Sequence, residues 1–265
     1  MNNPSQTMKK ILPFLIIFFV ITPLYAYENK KSEYGFYLSS KVYEERHPVD
    51  NSFFMSQDGF MLGLVLNGDN YDTYYTGYRT RFGYGQVDYA SAGTGTMADI
   101  PDWQIEGTWY FGLPFENETY RITPIAGLGY RYLLNASGHK LSSSGHSGYD
   151  RESRYLYLPV GLNFETQTSQ EGTYWELRGE YLFFLWGQQK SYLSDVGASF
   201  SDITNDQEEG SGIKLSARYY LDKNFSIEGY TEFWDIADSK LDVSGNFMEP
   251  RNTTRETGVR LLWKY

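Results

Sequence analysis

Alternation with a period of two runs through most of this chain. In the stretch 253–265, Thr257, Val259, Leu261, Trp263 and Tyr265 make one largely apolar stripe. The positions between them, Glu256, Gly258, Arg260 and Lys264, are polar or small, with Leu262 the exception. Successive side chains of a strand point to opposite faces, so this spacing predicts a strand with one greasy and one wet face. Nine further stretches repeat it: 33–43, 59–67, 73–89, 102–113, 119–134, 151–165, 173–186, 211–221 and 225–236. In the clearest, Trp103, Ile105, Trp109, Phe111 and Leu113 alternate with Gln104, Glu106, Thr108 and Tyr110.

The connections are sorted by parity. After even-numbered stretches they are short, at 68–72, 114–118, 166–172 and 222–224. After odd-numbered ones they are long, at 44–58, 90–101, 135–150, 187–210 and 237–252. The run Asn67-Gly68-Asp69-Asn70 is expected to be a tight turn, because Asn-Gly supplies the positive φ that short hairpins need. Strict short–long alternation places all short turns on one rim and all long loops on the other. A sandwich has no reason to sort its loops this way, whereas a membrane-spanning up-and-down barrel does. The expected fold is therefore all-β, a single antiparallel barrel of ten strands, with eight as the alternative count.

Composition changes this picture little. The mean hydropathy of −0.51 argues against helical spans only, since a barrel needs apolar residues at alternate positions alone. Aromatics are 18% of residues, with 25 Tyr, 17 Phe and 6 Trp, residue types that collect at membrane–water interfaces. With no Cys there is neither a disulfide framework nor a thiolate metal site. Lys9 and Lys10 precede an apolar run from Ile11 to Ile21 and a small residue at Ala26, the pattern of a secretory signal covering residues 1–26. The remainder, 27–265, is the barrel. Its net charge, −10 for the whole chain and about −12 without the leader, does not point to nucleic acid.

Taken together, the leader, the alternating strands with aromatic ends, the loop parity and the terminal Trp263 and Tyr265 resemble small bacterial outer-membrane β-barrel proteins. The resemblance implies an outer-membrane location in a Gram-negative-type bacterium, with both termini periplasmic. It implies contact with outer-membrane lipid and lipopolysaccharide, and a last strand whose Trp263 and Tyr265 signal to the barrel-assembly machinery. Ten strands is the count of the omptin proteases and eight that of the OmpA-like membrane domain. The omptin site needs Asp-x-Asp and Asp-x-His, and neither occurs here, so no residues are carried over.

The inward positions collect both signs of charge: Arg79, Arg81, Arg121, Arg131, Arg178, Arg218 and Arg260, with Lys214, against Glu106, Glu176, Glu180, Glu228, Glu232 and Glu256. One reading is a narrow channel for a small polar solute. The other is an ion-paired filling that closes the lumen, the expectation for a barrel only slightly larger than eight strands. The three His, at 47, 139 and 146, all fall in long loops. A rim-located hydrolase of lipid or peptide would pair His139 or His146 with Ser147 or Asp150, but His146-Ser147 lacks the His-x-Ser spacing of lipid A deacylase barrels. Asp195, Asp202, Asp206, Glu208 and Glu209 crowd one loop without the spacing of an EF-hand. The expected role is thus structural or surface-interacting, with no cofactor, no catalytic residue and no metal site assigned, and no ligand named.

Overall fold

The computed structural model describes residues 30–166 and 173–265; the leader 1–26 and most of the 166–172 connection lie outside the described residues. Among the described residues twelve strands occur in order: β1 Lys30–Arg46, β2 Phe53–Tyr71, β3 Tyr75–Ser91, β4 Gly95–Gly112, β5 Phe115–Glu116, β6 Tyr120–Asn135, β7 Arg151–Thr166, β8 Tyr174–Ser191, β9 Ile203–Gln207, β10 Gly210–Tyr220, β11 Phe225–Ile236 and β12 Asn252–Lys264. Ten of them form a closed antiparallel ring, β5 and β9 being short additions that pair with β6 and β8. The ring closes through β12 on β1, with Tyr34 opposite Trp263, Phe36 opposite Leu261 and Leu38 opposite Val259. All ten expected strands are present. Among the described residues no helix is long and apolar enough to cross a membrane.

Two details differ from the expectation. The first concerns the connections 44–58 and 90–101, which are mostly strand: β1 runs to Arg46, β2 begins at Phe53, and β3 and β4 are joined across residues 92–94 alone. These ends lose the alternation, Phe53, Phe54 and Met55 running together and residues 90–96 being small or polar, so the hydrophobic pattern does not reveal them. The second is Asn67-Gly68-Asp69-Asn70, which lies inside β2, the turn falling at 72–74. Asn67 and Asp69 are buried on the lumen side. Asp69 accepts from Tyr75 at 2.7 Å and pairs with Arg79 at 2.8 Å, which holds the chain extended. Gly68 is needed for clearance there, because the Tyr78 ring lies where a Cβ would stand.

The outer wall is apolar and exposed, with Phe36, Leu38, Leu62, Leu128 and Leu215 each more than half accessible. A sheet packed against protein would bury this face; a sheet facing hydrocarbon exposes it. Aromatic pairs mark the wall near the turn rim: Phe225–Trp263 at 5.1 Å, Tyr74–Phe111 at 5.5 Å and Trp175–Tyr219 at 4.8 Å between centroids. Tyr84–Trp103, at 4.4 Å, stands nearer the loop rim. From Tyr34 to Val42 the outward row of β1 covers about 26 Å along the strand, or about 20 Å along the barrel axis at a tilt of about 40°, comparable with the apolar band of such barrels.

Candidate functional site: the lumen

Polar positions alternate with the apolar outer ones across the membrane-facing part of the strands, so charged residues from most of the ring meet in the lumen. Near the turn rim, Lys31 donates to Tyr174 at 2.8 Å and pairs with Glu165 at 3.3 Å. Arg121 pairs with the same Glu165 and lies 3.5 Å over the Tyr71 ring. One layer deeper, Arg79 binds Asp69 and stands 3.9 Å from Glu176. Arg218 is 2.7 Å from Glu33 and shares Glu228 with Arg260. Arg178 pairs with Glu180 and stacks 4.0 Å from the Tyr110 ring, while Tyr110 donates to Glu180 at 3.0 Å.

At mid-height the network converges on Arg81. Its guanidinium meets Glu106 at 2.6 Å, Glu232 at 2.9 Å and Glu256 at 3.1 Å, carboxylates from β4, β11 and β12. Lys214 of β10 binds Glu106 and lies 3.7 Å from Glu232. Arg131 of β6, with no accessible side-chain surface, is 3.2 Å from Glu232 and 5.3 Å from the Trp234 ring. Tyr230 and Ser39 donate to Glu256 at 2.7 and 2.9 Å. Tyr37 crosses β2 and β3 to accept from Gln104 at 2.6 Å. It can do so because Gly63 and Gly83 leave the space its ring and hydroxyl occupy.

The charges named from the sequence are paired in separate layers rather than in one net. The rest of the filling is not among the charges named from the sequence. Lys31 and Asp69 fall outside the expected strand bounds. Glu33, Lys41, Asp102 and Glu165 share strand parity with inward neighbours, a signal that is present in the sequence. Lys41 and Asp102 pair, both buried. An apolar cluster of Leu133, Tyr155, Tyr157, Leu182, Trp234 and Ile236 also fills the lumen, beyond the charges named from the sequence. The space left between the lower layers and the Arg81 layer is about 70 Å³, room for a few waters but not for a solute.

The loop candidates remain apart. His47 lies 3.5 Å from Asp50 inside one turn, and His139 has a φ of +66°. The neighbour of His146 is Ser144, at 2.9 Å, rather than Ser147 or Asp150. Ser144 gives its proton to the Thr94 carbonyl at 2.7 Å, so the pair ties a loop to the β3–β4 hairpin. Asp195, Asp202 and Glu208 serve different partners: the Asp150 amide, the Ser194 hydroxyl and Lys240. Trp263 packs with Tyr34 and Phe225, and Tyr265 lies 5.9 Å from Tyr34.

No protein-family model matches the chain, and no curated protein matches it. Solved structures do. The outer membrane protease OmpT of Escherichia coli superposes with a TM-score of 0.54 at 12% identity, over 92% of this chain and 99% of that one. Weaker likenesses include Neisserial surface protein A, with a TM-score of 0.28, 11% identity and cover of 87% and 97%. Outer membrane phospholipase A of Escherichia coli gives 0.28, 10%, 91% and 93%. The fold is that of outer-membrane β-barrels; at these identities the likeness speaks of fold and not of activity.

Proposed function

We propose that this chain is an outer-membrane barrel with a closed, ion-paired lumen, acting as a structural or surface-interaction protein rather than as a pore or an enzyme. The loop rim faces the exterior and both termini face the periplasm. The observation that carries this reading is Arg81, held at mid-lumen by carboxylates from three strands with only water-sized space beside it. Exposed apolar residues at the loop rim, Val49, Leu141 and Val243, support a contact surface there. The outer wall contacts lipid and lipopolysaccharide, and Trp263 and Tyr265 serve as the signal to the assembly machinery. Refolded protein in planar bilayers tests the reading. The expected result is no stable conductance; single-channel steps that vary with salt in the manner of an open pore would overturn it and favour the channel.

A further inference from the structure

At the outer mouth the loop 237–251 folds inward. Its Glu249 is 5% exposed, and the Glu249 amide donates to Ser239 Oγ at 2.8 Å while the Ser239 amide donates to the Glu249 carbonyl at 2.9 Å. The Glu249 side chain reaches Arg151, at the start of β7. Glu45 reaches the same Arg151 nitrogen from β1, on the opposite side of the ring. Tyr43 stands between them, donating to Glu45 at 2.8 Å and lying 3.5 Å from Glu249. Tyr149 of the 136–150 loop and Tyr155 of β7 also face Glu249; Arg251, on the same loop, is turned away onto Asp235 at 2.6 Å. One guanidinium nitrogen is thus asked to satisfy two buried carboxylates. A second carboxylate this close disfavours the ionised form of the buried Glu249.

We propose that loop 237–251 is a proton-held latch over the outer mouth of the lumen, closed while the buried Glu249 carboxyl keeps its proton beside Arg151 and Glu45 and released when that proton leaves. Release widens access to the small, partly open chamber beside Arg151, lined also by Tyr43, Gln57 and Ser153. The Arg81 layer below stays shut, so the latch controls access to the mouth and not passage through the barrel. The direction follows from linkage. Burial pushes the Glu249 carboxyl up to about 8, Glu45 adds to the push and Arg151 opposes it. An acid raised in the closed state favours closure below its ordinary value. That advantage falls by about tenfold per pH unit as pH rises from about 4.5 to about 8, and is flat above.

The chain has no Cys, so one introduced thiol gives a clean signal. In refolded full-length Ser153→Cys, labelling by an impermeant thiosulfonate is divided at each pH by that of Ser244→Cys, at the exposed loop tip, which cancels thiolate chemistry. The ratio is expected to rise at least tenfold from pH 5.5 to 8.5, and to stay flat when Glu249→Gln is added. A flat ratio in the unmodified background, or a rise that survives Glu249→Gln, overturns the latch. Heat-modifiable gel migration confirms that each variant is folded. Hydrogen exchange of the Glu249 and Ser239 amides, compared at each pH between the unsubstituted chain and a chain carrying only Glu249→Gln, separates the same outcomes without a thiol.

Discussion

Lys31 and Glu165 stand on β1 and β7, strands that lie five steps apart in either direction around the ring, yet their side chains meet with 3.3 Å between Nζ and Oε2. Glu45 and Arg151 repeat that crossing at the other mouth of the barrel. Backbone hydrogen bonds close the circumference; these pairs tie its opposite walls. A ten-strand sheet with only neighbour contacts can flatten or slip, whereas links across the axis fix which strand faces which. Each crossing places charge where water is scarce, so its removal leaves a partner stranded.

Arg81 is where that cost concentrates. Arg81→Met deletes the group that meets Glu106, Glu232 and Glu256 together. Breaking a buried pair from one side costs about 3–5 kcal/mol, and here three acids lose a partner. Urea titration of the refolded protein in detergent or bilayer should show a loss in that range or larger. The single change Glu256→Gln, which keeps a hydrogen-bond acceptor for Tyr230 and Ser39, should cost distinctly less. Equal losses for the two would remove Arg81 from the centre of the filling.

How much of this is legible in the sequence follows from what alternation encodes. A greasy face against a wet one marks strands wherever the outer wall meets hydrocarbon, which is why Leu38, Leu62 and Leu215 identify theirs. Above that band apolar residues such as Phe53, Phe54 and Met55 no longer alternate with polar ones, so the ends of β1 to β4 read as loop. Strand parity also tells that Arg81 and Glu256 point inward. It cannot tell that they meet, because contacts across the axis depend on register and shear, which neighbouring residues do not carry. Trp234 and Leu182 have the residue type of the outer wall but the parity of the lumen, so a reading by type alone loses the apolar part of the filling.

The lipid-facing reading of the outer wall has its own test. Leu38 projects outward near the middle of the band and is 57% exposed. Leu38→Arg should destabilise the inserted protein by about 2–4 kcal/mol, the cost of a cation near the membrane midplane. Val243→Arg, on the loop rim, should stay within about 0.5 kcal/mol. Chemical denaturation from liposomes measures both. Equal tolerance of the two would mean that the exposed apolar wall does not face hydrocarbon.

Gly83 and Tyr37 form a packing pair that sequence type alone would not single out. A methyl group at Gly83 would fall on the Tyr37 hydroxyl, which also meets Gln104. Gly83→Ala should therefore cost about 1–3 kcal/mol through overpacking. Tyr37→Phe removes the colliding atom, so the double variant should be more stable than the sum of the single losses predicts, a coupling that a double-mutant cycle reads directly. Additive losses would show that the ring and the glycine do not share that space.

Asp242 organises the tip of the outermost loop, and its behaviour with pH is opposite to that of Glu249. Its carboxylate accepts from the Ser244 hydroxyl at 2.9 Å and from the Phe247 and Asn246 amides at 2.9 and 3.0 Å. Those bonds, Ser244 first and the Phe247 amide next, hold the carboxyl down at about 2. For an acid depressed in the ordered state, the order is fully present above its ordinary value near 3.8 and is lost as pH falls through about 2. The Phe247 amide should then exchange slowly at pH 5 and lose protection as the solution is taken below pH 3. Ser244, Asn246 and Phe247 all converge on the one Asp242 Oδ1; Asp242→Asn offers them a neutral, weaker acceptor, so its Phe247 amide should be less protected at pH 5 and respond little to acid. Exchange followed by mass spectrometry on the peptide spanning 240–250 separates these outcomes. A wild-type peptide insensitive to acid would show that the turn is held by something other than the Asp242 charge.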